Sequence, residues 1–361
     1  MGQPINLKPL TSLRFFAAMW VVLYHYWPNL AVAGTPTLVA KGYLGVECFF
    51  VLSGFILCHV YLAAFEDGRF HYADFLWTRL ARIYPMHLAT LVGVGLLGGL
   101  ALAAGLAVDP NVVALSALPA NLALVQAWGF APVAGWNHPS WSISAEWFAY
   151  LLFPAFALAA VRLRRRPGLA VLGAVALTCA LYAWFPLLSG ISLTSATIAW
   201  GALRIVPPFA IGCALFLLWR THEAKRRASL AGAAIFGALA LSSARFEAPD
   251  ALTVAAFGGL IISLAQASRA GSRVGSNSVA VYLGEISYSI YMVCIPWQLI
   301  FVNLATRFLH LPSKHLPLAL WVIYVAALIP LAAVAHHLIE RPSRERMRLW
   351  WALLGTHELA T

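Results

Sequence analysis

The chain has 361 residues, of which 61% are hydrophobic and only 10% charged. A soluble protein of this length cannot hide that much apolar surface, so composition excludes a soluble globular enzyme and predicts an all-α polytopic membrane protein. The formal charge of +11 does not mark a nucleic-acid binder, because the basic residues lie in short clusters between apolar runs.

Apolar stretches long enough to cross a bilayer fall at 13–32, 43–63, 86–107, 146–161, 168–186, 203–219, 228–244, 250–268, 286–305 and 316–338, which predicts about ten transmembrane helices. The first, "SLRFFAAMWVVLYHYWPNL", carries Arg14 and His25. At that spacing both point to one side of a helix, roughly 16 Å apart along it, and ionisable groups in a span are by default functional. Lys8, the apolar run and "AVAG" at 31–34 imitate a signal peptide. Arg14, His25 and Trp27-Pro28 interrupt its apolar region, so the segment is expected to remain as the first span. The fourth and seventh stretches are short, and the aromatic-rich 120–136 region reads as a half-span or an interfacial segment. Cys48, Cys58, Cys179, Cys213 and Cys294 all sit in apolar runs without CxxC spacing, as packing residues with no disulfide expected. "RAGSRVGSNS" at 269–278 reads as a flexible loop. The expected division is a transmembrane domain over 1–345 and a short basic tail over 346–361, its "RLWW" at the interface.

With a cytoplasmic N-terminus, the inner connections hold every lysine and arginine except Lys41, Arg204, Arg245, Arg307 and Lys314. That asymmetry places both termini in the cytoplasm.

This topology assigns depths. His25, Glu47, Glu146 and Arg204 are all expected in the outer half of the membrane, and Arg14 near the inner face. A histidine beside a carboxylate suits general-base chemistry, with Glu47 the expected partner; a structural hydrogen bond between helices is the alternative. Arg79 and Arg82, just before the third span, form a fork suited to phosphates, although composition alone favours simple anchoring. Ser53-Gly54 in mid-membrane would allow close helix packing or the passage of a narrow ligand. No G-x-S-x-G elbow or HExxH is present, so neither a serine nucleophile nor a bound metal is expected.

Taken together, Arg14-x10-His25, "GVECFFVLSGF", "RLARIYP", "HPSWSISAEWFAYLLFP", "LGEISYSIYMVCIP" and "HHLIERPSR" occur in the order found in acyltransferase family 3. The chain resembles those bacterial multi-pass O-acyltransferases, which include O-antigen and exopolysaccharide acetylases, from about residue 9 to 346. The resemblance implies transfer of an acyl group, usually acetyl, from cytoplasmic acyl-CoA to a hydroxyl of an envelope glycan or similar acceptor, in the bacterial inner membrane. His25 matches the family's catalytic histidine, Arg14 its partner, and Arg79 and Arg82 the RxxR motif linked to the donor. Glu146 matches the acidic residue after the Trp-Ser pair, here Trp141 and Ser142; these two and Arg204 are expected to face the acceptor. Glu47 stands where the family often has aspartate. Cys294 replaces a frequent histidine, so no role is carried to it. The implied path runs from coenzyme A phosphates at Arg14, Arg79 and Arg82, past Ser53-Gly54, to a thioester near His25. There His25 would serve as general base, oriented by Glu47 or Glu146, or as transient acyl carrier. A transporter or flippase, or a non-catalytic partner in polysaccharide assembly, is the rival reading.

Overall fold

The computed structural model describes residues 7–358; residues 1–6 and 359–361, the outer ends of the two expected domains, lie outside them. Helix α1 (Lys8–Tyr26) has proline in its first turn, where no amide partner is needed, and stops where Trp27-Pro28-Asn29 tightens into a 3-10 turn. Short α2 (Thr37–Ala40) and a 3-10 turn lead into α3 (Gly45–Glu66), followed by the long α4 (Tyr72–Ala103). Next come α5 (Leu118–Leu122), α6 (Trp141–Leu151), α7 (Phe153–Leu163), α8 (Pro167–Ser189), α9 (Gly201–Arg204) and α10 (Val206–Thr221). The remainder is α11 (Arg226–Arg245), α12 (Asp250–Arg269), α13 (Ser278–Glu285), α14 (Ser287–Phe308), α15 (Leu318–Ala335) and α16 (Arg341–Glu358). A π-helical turn, His336–Glu340, joins the last two. Among the described residues there is no strand, only an isolated bridge between Leu30 and Leu316.

Among the described residues eight helices are long and apolar enough to cross a membrane, or nine when α6 and α7, bent by 56°, count as one broken span. Helix α1 falls short of that hydropathy because Arg14 and His25 interrupt it, yet it packs within the bundle against α3, α13 and α14. With it, each of the ten predicted segments has its helix. The protein is an all-α polytopic membrane protein.

The differences have physical causes. Hydropathy marks only the lipid-embedded part of a helix, so α4 starts at Tyr72 and contains Arg79 and Arg82, which do not precede it. For the same reason residue 346 is no boundary but falls inside α16, whose Trp351 stacks on Trp77 at 5.0 Å and donates to Asp74 at 2.8 Å. The 120–136 region is no half-span: it folds into short turns, with Ala120, Ala131 and Trp136 in a small apolar cluster with Leu91. All five cysteines are free.

Helices α3 and α10 cross with their backbones in close contact. A Cβ on Gly54 would overlap the Phe209 carbonyl, and one on Gly212 would overlap that of Val51. Two glycines thus let these backbones touch, as in other membrane helix pairs. Gly54 therefore faces α10. It does not line a ligand path.

Candidate active site

A cavity of about 670 Å3 lies among α1, α3, α4, α6 and α14. At the end assigned to the cytoplasm its walls carry Arg14, Arg79 and Arg82; higher up they are mainly apolar, including Val46, Phe49, Leu52 and Ile56, and Ser142 and Tyr291 also line it. The pairing of the three guanidinium groups is sparse. Arg79 donates to the Tyr61 hydroxyl at 3.0 Å and lies over that ring. The Nε atoms of Arg14 and Arg79 are buried without a hydrogen-bond partner. Leaving such donors unmet is costly, so their arrangement suits an anion arriving from outside the protein.

One carboxylate faces them. Glu146 lies near the middle of α6 and accepts from Ser53 Oγ at 2.6 Å, and Tyr150, one turn further along α6, also lines the cavity. Arg14 is near enough to Glu146 to interact with its charge. Ser53 and Glu146 thus meet within the cavity, on the side of the helices facing away from Gly54's contact. A second chamber of about 530 Å3 shares Thr11, Arg14 and Arg82 with the first and adds His336, Arg341 and Arg344.

The four groups expected together in the outer half are not together. Glu47, in the first turn of α3, is fully buried and paired with Arg204 at 2.6 Å. Arg204 also donates to the Ala196 carbonyl at 2.9 Å and lies over the Trp141 ring at 4.5 Å. Arg204 is 2% exposed and Trp141 5% exposed, so neither presents a face to an acceptor, and Glu47 does not orient His25. Depth matching failed here because it carries no information about which way a side chain points around its helix.

His25 sits on the last turn of α1, half-buried, its ring edge-on to Tyr24. The group near enough to interact with its charge is His138. His25 does not line the cavity. Gly45 packs on Ala17 and Val21, which sets Val46 near that level of α1; His25 is one to two turns further out, about 6–12 Å along the axis. The cavity's outer limit is tied by a hydrogen-bonded knot: Ser142 Oγ donates to the Tyr291 hydroxyl at 2.8 Å, which donates to the Pro139 carbonyl at 2.8 Å. The cavity described here ends short of His25, which is not among the residues that line it.

The profile of the acyltransferase domain of family 3 matches residues 9–337. The chain belongs to this family. Among its relatives, the acyltransferase MdmB of Streptomyces mycarofaciens is 31% identical, over 80% of this chain and 78% of that protein. The peptidoglycan O-acetyltransferase OatA of Listeria monocytogenes is 22% identical over 93% of this chain, and a putative O-acetyltransferase of Staphylococcus aureus 21% over 93%. The chain spans just over half the length of these two O-acetyltransferases, 55% and 57%. No solved structure matches.

For a member of acyltransferase family 3, the cavity gathers Arg14, Ser53, Arg79, Arg82, Ser142 and Glu146, and leaves out His25, Glu47, Gly54, Trp141 and Arg204. Sequence reasoning missed Tyr150, Tyr291 and His138, and the basic side chains of the second chamber. His138 lay in plain view four residues before Ser142 in "HPSWSISAEWF". Arg341 and Arg344 lay in "HHLIERPSR" but were absorbed into the topology count.

Proposed function

We propose that this integral membrane acyltransferase is an O-acetyltransferase of the bacterial inner membrane, taking an acyl group from cytoplasmic acyl-CoA to a hydroxyl of an envelope glycan or similar acceptor. The observation that carries the reading is the cavity itself: three sparsely paired guanidinium groups at one end and a mainly apolar throat above them. That polarity fits a donor with a phosphorylated head and a thin, weakly polar arm. Arg14, Arg79 and Arg82 hold phosphates; Val46, Phe49, Leu52 and Ile56 sheathe the arm and exclude water from the thioester.

His25, half-buried at the outer end of α1, takes the acceptor's hydroxyl proton. The alcohol oxygen then bonds to the carbonyl carbon, the carbon–sulfur bond breaks, and the sulfur leaves as thiol with a proton. In the other route the imidazole itself carries the acyl group briefly. Either route requires the Ser142–Tyr291–Pro139 knot to open. A second reading is favoured by the position of Glu146, the one carboxylate lining the cavity: there it, and not His25, takes the proton, with Ser53 orienting it.

The test is acyl transfer by purified full-length protein in nanodiscs supplied with acetyl-CoA, scored by thiol release, together with mass spectrometry of envelope glycans from cells with and without the gene. Loss of an acetyl increment and donor-dependent thiol release are expected. Movement of a glycan without thiol release would replace the enzyme with a transporter.

A further inference from the structure

The second chamber is more than an entrance. Its walls come from α1, α4, α13, the π-helical turn and α16. Such a turn inside an α-helical run is rare and concentrates at functional sites. Here it points His336 and Glu340 inward together: Glu340, 1% exposed, accepts from Ser289 Oγ at 2.7 Å and contacts His336 Nδ1 at 3.0 Å. The next residues, Arg341 and Arg344, are three apart, so both lie on one side of α16, and both line the chamber.

Both arginines are only loosely paired. Arg344 stands 3.8 Å from Glu340, too long for a hydrogen bond, so its donors are available. Arg341 pairs with Glu345 at 3.0 Å, but both are more than half exposed, and such a pair is readily exchanged. Glu285 and Glu345 at the walls temper the field. A diffuse attraction to an anionic leaflet is thereby weakened, which favours an anion of concentrated charge.

We propose that this chamber binds a phosphate monoester, the one on the ribose of coenzyme A, through Arg341 and Arg344. The inference rests on the acyl-CoA reading above and adds to it how the donor is recognised: the first chamber takes the arm and the adjoining diphosphate, the second the nucleotide end. A monoester carries close to two charges at neutral pH and offers three acceptor oxygens, which two guanidinium forks can meet.

The test uses full-length protein in nanodiscs of zwitterionic lipid and reads equilibrium binding of coenzyme A and of dephospho-coenzyme A, which lacks only that phosphate. The wild type is expected to bind coenzyme A about 10- to 100-fold more tightly. R341Q and R344Q should each shrink that ratio, and together bring it near unity, while dephospho-coenzyme A binding holds. Arg341 is exposed, so R341Q carries the test even if R344Q misfolds. A wild type that does not distinguish the ligands, or variants that lose both equally, overturns the proposal and leaves the donor reading standing. No binding of either ligand, with no thiol release from acetyl-CoA, overturns both. Repeating the titration with anionic lipid identifies the other source of phosphate: if lipid headgroups abolish the preference and the variants change only that lipid effect, the chamber is a lipid site and the proposal falls.

Discussion

Replacing Arg204 by methionine separates a structural ion pair from an acceptor-binding residue. Arg204 and Glu47 are 2% and 0% exposed, Arg204 Nε donates to Glu47 Oε1 at 2.6 Å, and Glu47 Oε2 and Arg204 Nη2 have no hydrogen-bond partner. Removing one partner leaves the other buried in low dielectric with nothing to offset its lost hydration, a loss of about 3–5 kcal/mol. R204M also forfeits the cation–π contact with Trp141, about 2 kcal/mol when desolvated as here. R204M and E47Q should each sharply lower thermal stability in detergent. The double variant should recover part of the loss, because no lone charge remains, so the double-mutant cycle should show strong coupling. The acceptor KM of whatever folded R204M remains should be unchanged. If R204M keeps wild-type stability and raises the acceptor KM, the pair is not structural and Arg204 returns to the acceptor site.

His25→Ala should abolish acyl transfer with normal membrane insertion, read by thiol release and by the amount of protein in the membrane fraction; near-normal release would transfer the proton step to Glu146. Arg82→Ala should raise the donor KM about tenfold or more with kcat little changed, since phosphate contacts to charged donors contribute about 1.5–3 kcal/mol each; a donor titration that does not shift would return Arg82 to anchoring. Gly54→Leu should prevent stable folding, because even its Cβ would meet the Phe209 carbonyl of α10; a monodisperse, active variant would show that the α3–α10 crossing is looser than described. Tyr291→Phe keeps the ring but removes both hydrogen bonds of the knot, and is expected to raise thiol release to water in the absence of acceptor.

What was legible in the sequence is what hydropathy and charge report. Ten segments, their order and the all-α class follow from apolar length, and the membrane family from six motifs in series. Arg14, Arg79 and Arg82 are brought to one cavity because their residues cluster at one end of their helices, which a count of basic residues already locates. The outer cluster was not legible. His25, Glu47, Glu146 and Arg204 share an approximate depth, but their azimuths are set by packing: Gly54 and Gly212 draw α3 against α10 and turn Glu47 towards Arg204, away from α1. The break between α6 and α7, bent by 56°, also lies beyond hydropathy, since Leu152 is as apolar as its neighbours. That break makes α6 a short, separate helix whose carboxylate reaches Ser53.

The separation of His25 from the cavity has its own logic. A water-filled passage running from Arg82 to the outer face would conduct ions, and a membrane potential places about 2.3 kcal/mol on each elementary charge per 100 mV. A permanently open path of the kind expected from the motifs would dissipate that gradient. Ser142, Tyr291 and Pro139 are joined at the cavity wall by hydrogen bonds between neutral groups, and Asn137 fastens the same loop to the Met292 carbonyl of α14 at 2.8 Å. On the proposed reading, the donor arm fills the throat before the knot yields, so the apolar arm itself seals the passage while the acyl carbon moves towards the imidazole. Neutral hydrogen bonds suit this closure better than an ion pair would. Each contributes about 1 kcal/mol net, small enough for ligand binding to offset, whereas the buried pair of Glu47 and Arg204 is placed where nothing has to move.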